Sequence, residues 1–201
     1  MKLTIVTQVS VDGVMQANGG NNEELDPGFD RGGWARQAFS EEALATIIGV
    51  YQRADAFLFG RRTYELFAGY WGTLAPGASP FSDAMNSRPK FVASNTITEP
   101  EWADTMVLSG DLATAIRDLR THGEGELQVH GSGALARWLI ENDLVDEITL
   151  FVVPAVIGAG TRLFPENGRD IGLDLVEART FPGGTMVQVF RPNGKPRYAT
   201  S

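Results

Sequence analysis

Residues 127–154, LQVHGSGALARWLIENDLVDEITLFVVP, leave this chain few folds to choose from. A short apolar run, Leu127-Gln128-Val129, breaks at Gly131-Ser132-Gly133, and Ala134, Leu135, Trp138 and Leu139 then recur at the spacing of one helical face. Asn142-Asp143 stops that helix. Residues 148–153, ITLFVV, are too uniformly apolar and β-branched for a half-exposed strand and predict one covered on both faces. The unit is strand, tight glycine turn, helix, buried strand. Such a turn points backbone N–H groups outward at the positive end of the helix dipole with no side chain in the way, an arrangement that suits phosphate.

The remaining chain repeats the alternation. Strands are predicted at 3–9, 54–59, 90–94 and 102–108. Ser40 caps a helix over 40–53, with Glu41 and Glu42 in its first turn and Leu44, Ile47, Ile48 and Tyr51 on its apolar face. Thr63 is expected to cap a second helix carrying Tyr64, Phe67 and Trp71. A short helical piece follows at 81–85, and Ser109 or Asp111 is expected to cap a helix that Gly123 closes. Residues 17–33 are polar and glycine-rich, and are expected to form a long functional loop that Trp34 and Phe39 fold back over something apolar. Two strands, 173–181 and 185–191, are joined by Pro182-Gly183-Gly184 as a hairpin. The expected fold is one α/β domain over 1–192, with a mostly parallel twisted sheet, helices on both faces and a C-terminal antiparallel hairpin; 193–201 is expected to be a frayed tail.

At 201 residues such a domain can bury roughly 70% of its unfolded surface and needs no disulfide or metal staple. Composition also narrows the partners. A net charge of −8 argues against nucleic acid, and no apolar run approaches the ~20 residues of a membrane span. With no cysteine and two histidines, His122 and His130, a His/Cys metal site lacks ligands. The amino-terminal stretch alternates like a strand and not like a signal peptide, so a cytoplasmic protein is expected. The apolar strand 148–153 and the hairpin are candidate surfaces for a homodimer.

Gly131-Ser132-Gly133-Ala134-Leu135-Ala136 satisfies the dinucleotide fingerprint G-x-G-x-x-G/A literally. In a Rossmann domain, however, an acidic residue about 20 positions on ends the next strand, and here Asp146-Glu147 lie at the wrong end of it. An esterase oxyanion loop, His130-Gly131-Ser132-Gly133, would need a downstream serine nucleophile, and only the terminal Ser201 follows. A glycine-capped turn that binds nothing is the bland alternative. Two more strand ends weigh against it: Gly60-Arg61-Arg62-Thr63 offers a glycine, two guanidinium groups and a hydroxyl, and Ser94-Asn95-Thr96 offers three small hydrogen-bonding side chains. In a parallel sheet all three turns open on one edge, where α/β proteins bind ligands.

The order GRRTYE, KFVASNT, VHGSGALARWLIENDLVDEITLFVVPAVIGAGTRLF, with Ser10-Val11-Asp12-Gly13 near the start, resembles the dihydrofolate reductase-like superfamily over nearly the whole chain. It is most similar to the reductase domain of the bifunctional riboflavin-biosynthesis deaminase-reductase. The resemblance implies a three-layer reductase fold that binds NADPH across the carboxyl edge of the sheet. It implies that Gly60, Arg61, Arg62 and Thr63 hold the 2′-phosphate and pyrophosphate, that Ser94 and Asn95 flank the adenine ribose, and that Gly131, Ser132, Gly133, Ala134 and Leu135 bind the pyrophosphate.

Dihydrofolate reductases have a cis Gly-Gly pair where this chain has Gly131-Ser132, and cis bonds outside proline are rare, so the isomer stays open. They also carry a carboxylate near the start of the helix after the active-site loop, a place roughly filled by Glu41 or Glu42. No deaminase zinc motif is present. The implied activity is hydride transfer from NADPH to a C=N or C=O bond of a small pteridine-, pyrimidine- or sugar-derived substrate. The substrate is expected between Ser10, Asp12, the loop ending at Trp34, and the helix carrying Glu42, with Asp12 a candidate polar anchor or proton relay. A cofactor-binding sensor without turnover and a purely structural module are the competing functions.

Overall fold

Strand β1 (Lys2–Ser10) is central because both of its faces are apolar. Leu3, Ile5 and Val9 pack to one side and Val6 to the other. The computed structural model describes residues 1–20 and 28–199. Its sheet has 8 strands in the order β4-β3-β2-β5-β1-β6-β8-β7. The others are β2 (Ala54–Gly60), β3 (Lys90–Ala93), β4 (Thr105–Leu108), β5 (Glu126–Val129), β6 (Glu147–Val153), β7 (Leu173–Thr180) and β8 (Met186–Pro192). Strands β1 to β6 run parallel, while β8 is antiparallel to β6 and β7 to β8. This is the expected fold class.

Helices α1 (Glu41–Gln52), α2 (Arg61–Tyr70) and α3 (Pro80–Asn86) cover one face of the sheet. Helices α4 (Leu112–Arg120) and α5 (Gly133–Glu141) cover the other. The period-2 alternation assigns each side chain to its layer. On β2, Ala56 and Leu58 join the α4/α5 core, whereas Phe57 and Phe59 meet Tyr64, Met85 and Trp102 on the opposite side. Fully buried rings such as Phe57, Phe59 and Phe151 each contribute about 1.5–3 kcal/mol. Ser40 and Asp111 cap α1 and α4 as expected.

Three local expectations are corrected. Helix α2 has Gly60 as N-cap with no side-chain cap, because β2 runs straight into it; Thr63 is instead buried inside the first turn. The strand expected from Trp102 begins only at Thr105, since Trp102 is drawn into the core: its backbone N–H donates to the Tyr64 hydroxyl (3.0 Å) and its Nε1–H to Asn86 Oδ1 (2.7 Å). Asp104, at φ 53°, then breaks the extended path. Helix α4 ends at Arg120 before Gly123 is reached, because the Thr121 hydroxyl and the His122 ring both bond back to the Asp118 carbonyl. The isomer left open by the sequence is resolved: the Gly131–Ser132 peptide is cis.

Candidate functional site

Parallel pairing places the ends of β3, β2 and β5 side by side. Gly60 pairs with Ala93 across β2 and β3, and its N–H donates to the Gly131 carbonyl at 3.2 Å. The contact leaves no room for side chains. A Cβ on Gly60 would collide with Ser132 Oγ, and one on Gly131 would lie 2.8 Å from Thr63 Oγ1. At φ +138°, Gly131 also has a conformation that L side chains rarely adopt. The result is a bare-backbone cradle between two helix starts. The first N–H groups of α2 have no side-chain cap, and Ser132 caps α5 by accepting from the Leu135 N–H at 3.4 Å.

Two concavities meet at this cradle. A groove of about 450 Å³ runs over the α4/α5 side of the rim between Ala93, Gly110, Asp111, Ala134 and Trp138. A cleft of about 500 Å³ opens on the α1/α2 side. Ser132 lines both, so they abut at the cradle. Thr63, Gly131, Ser132 and Gly133 line the cleft, and Gly60, Ser132, Ala134 and Leu135 line the groove. Of the other sequence-selected positions, Arg61 sits just outside, paired with Glu65 at 3.1 Å across one helical turn. Arg62 shares that first turn of α2. Ser94 and Asn95 end β3, where Ser94 Oγ accepts from the Thr96 and Ile97 N–H groups (3.1 Å each) and Asn95 Oδ1 accepts from the Gly110 N–H (3.4 Å).

The cleft is walled by Leu44, Ile47 and Tyr51 of α1, by Phe67, Trp71 and Phe81, and by the segment around Met15 to Gly19. Its floor is the α1-facing side of β1 and β5, where polar groups are unusually frequent for a central sheet. Gln8 and His130 reach it. His130 packs in a tilted contact against Tyr51, with ring centroids 4.0 Å apart, and against Phe57 at 5.6 Å. Burial pushes the His130 imidazole down to about 3, so it is neutral at physiological pH. Arg36 is the one charged side chain in the lining, and no Asp or Glu contributes to it among the described residues. Nor do those residues hold a group of three His, Asp or Glu fit for a metal ion.

The four positions expected to hold substrate fall outside this lining. Ser10 and Asp12 staple the end of β1 to the loop after β6. The Ser10 hydroxyl donates to Asp12 Oδ1 (2.7 Å), the Ile157 and Gly158 N–H groups donate to the carboxylate (3.0 and 2.8 Å), and Arg162 lies 3.6 Å away. These bonds, the one from Ser10 foremost, hold the carboxyl far below the usual carboxylate range. Trp34 donates its Nε1–H to the Gln16 carbonyl (2.8 Å), so it braces the cleft wall from behind. Glu42 faces solvent and pairs with Arg179 at 3.3 Å, because the cleft side of α1 belongs to Leu44, Ile47 and Tyr51. Part of the expected glycine-rich loop, 21–27, lies outside the described residues.

Sequence reasoning missed His130, Gln128 and Tyr51 as a unit. The available signal was Glu126-x-Gln128-x-His130, polar residues at period 2 on a strand flanked by buried ones.

Residues 1–187 match the model of a family described as the RibD C-terminal domain. The protein YyaP of Bacillus subtilis (strain 168) is 27% identical over 146 residues, 70% of this chain and 75% of its own length. Among solved structures, a pyrimidine reductase-like protein from Corynebacterium diphtheriae superposes with a TM-score of 0.64 at 12% identity, covering 96% of this chain and 92% of its own. A dihydrofolate reductase from Enterococcus faecalis, complexed with NADP(H) and RAB-propyl, gives 0.59 at 14% identity, with 96% of each chain covered. At those identities the structural likeness is one of fold.

Proposed function

The chain belongs to the RibD C-terminal domain family, and from that premise we propose that it is an NADPH-dependent reductase acting on a small heterocyclic or sugar-derived substrate of pteridine or pyrimidine-ribosylamine type. The observation that carries the proposal is the side-chain-free cradle at Gly60 and Gly131, set between two helix starts and joining a groove to a cleft. Backbone can approach a pyrophosphate closely there, and the dipoles of α2 and α5 favour its charge. The adenosine half of the cofactor is assigned to the groove and the nicotinamide half to the cleft, whose apolar wall excludes water. Bound there, the cofactor supplies the hydride.

Arg61 and Arg62 are assigned to the 2′-phosphate. Arg61 must exchange its exposed pair with Glu65, which contributes only about 0.3–0.5 kcal/mol, for a charge-assisted bond of about 1.5–3 kcal/mol. The exchange is favourable. Two such bonds give a preference for NADPH over NADH on the order of 10²–10⁴. Titrating wild type and Arg61→Ala/Arg62→Ala with both cofactors tests this, and the preference should collapse in the double variant. An undiminished preference would refute the assignment. Turnover is read as loss of reduced-nicotinamide absorbance against a panel of small C=N and C=O compounds.

A further inference from the structure

The polar side chains of β5 form a chain with a defined direction. Glu126 pairs with Lys2 at 3.1 Å and with Arg53 at 3.8 Å. Gln128, fully buried, donates its amide Nε2–H groups to Glu126 Oε2 (2.7 Å) and to the Val50 carbonyl (2.8 Å). Both partners are pure acceptors, so the nitrogen of the amide must lie on that side and Oε1 must face His130. His130 Nε2 lies 2.9 Å from Gln128 Oε1 and must therefore be the donor. A neutral imidazole with its proton on Nε2 carries a lone pair on Nδ1. Among the described residues that nitrogen has no partner, and the ring lines the cleft.

We propose that His130 is a specificity-determining residue of this cleft: locked by Glu126 and Gln128 in the Nε2–H tautomer, it accepts a hydrogen bond through Nδ1 from an N–H or O–H of a neutral substrate ring. Nδ1 would accept from a cationic N–H as well, so discrimination against protonated amidine-type rings falls to the charges that line the cleft. The lining agrees. Among the described residues its one charged side chain is the cation of Arg36, which repels a second cation, and none of those residues puts a carboxylate in the lining. The rings of Tyr51 and Phe57 pack against His130 in tilted contacts, with centroids 4.0 and 5.6 Å away. Gln128 and Glu126 are positioning residues that act through His130. The inference deepens the reductase proposal but does not need the cofactor to be bound, so the two can fail separately.

The matched probes are uracil, a neutral ring with N–H donors, and 2,4-diaminopyrimidine, which becomes a cation. Each is titrated into the full chain, with and without NADPH, at about pH 6, just below the ordinary imidazole value of about 6.5. Wild type is expected to bind uracil at least about tenfold more tightly than the diamine. His130→Phe keeps the ring contacts and removes the acceptor, and should weaken uracil about tenfold. His130→Asp should reverse the preference. For the positioning role, nitrogen NMR of the imidazole should show a single Nε2–H tautomer in wild type and a tautomer mixture in Gln128→Leu. Addition of uracil should move the wild-type Nδ1 resonance, a readout that survives even if a variant does not fold. Binding of neither probe, an Nδ1 signal indifferent to uracil, a folded His130→Phe that binds uracil as wild type does, or tighter binding of the diamine by wild type would each overturn the assignment. Failure of NADPH alone to bind would instead sink the reductase proposal.

Discussion

Gly60→Ala probes the cradle directly, and its consequence can be worked out from the neighbouring atoms. Gly60 has φ −74° and ψ 155°, which alanine adopts freely, so the backbone adds no penalty. Loss of unfolded-state freedom would by itself stabilise the variant by about 0.4–1 kcal/mol. Against this, the new methyl collides with Ser132 Oγ and lies 3.2 Å from Ser132 Cβ and N. Overpacking of this kind costs about 1–3 kcal/mol, and rotating Oγ away forfeits the cap on the Leu135 N–H, so the net loss should be about 1–2 kcal/mol. Ser132→Ala alone loses only the cap, whose 3.4 Å length puts it near the low end, about 0.5–1 kcal/mol. In the double variant the collision with Oγ is gone and the cap is lost once, not twice. The double variant should therefore be destabilised by about 1 kcal/mol where simple addition gives about 1.5–3. Urea denaturation of the four proteins, compared at equal m-values, measures this. If the two single losses add within about 0.5 kcal/mol, Gly60 and Ser132 are not in contact.

Two further outcomes follow from the site. His130 has its native value near 3, below an unfolded value of about 6.5, so the unfolded chain takes up the proton first. Stability is full above about pH 6.5 and falls as the pH drops toward 3, by up to ~1.4 kcal/mol per unit, and His130→Phe should flatten that limb in melting curves taken between about pH 7 and 4. Asp12→Ala removes the anchor of the Ile157 and Gly158 N–H groups and should cost about 2 kcal/mol, with faster amide exchange confined to the loop after β6. Equal protection of that loop in wild type and Asp12→Ala would show that the staple is dispensable.

The architecture was legible because period-2 and period-3.6 patterns survive wherever one face must be buried. Residues 148–153 announced a doubly covered strand, and 131–135 a helix start. What the sequence hid is what depends on three-dimensional competition for a group. Thr63 has the chemistry of an N-cap, yet β2 enters α2 without a connecting residue and leaves it inside the first turn. Asp12 has the chemistry of a relay, yet backbone N–H groups from residues 157 and 158, far along the chain, claim both of its oxygens. Glu42 sits on the right helix at the wrong rotation.

The same logic separates rim from floor within the site. The rim was readable because glycine and hydroxyl residues at strand ends act largely through backbone geometry, which sequence order fixes once the strands are parallel. The floor was not, because the role of His130 is set by its proton position. That position follows from the orientation of the Gln128 amide, which Val50 on α1 and Glu126 on β5 determine together. Two residues that lie two and seventy-eight positions from Gln128 in sequence thus decide which imidazole nitrogen of His130 carries the proton. Replacing Glu126 removes one of the two acceptors that orient the amide, whereas the Val50 carbonyl is backbone and persists with any side chain.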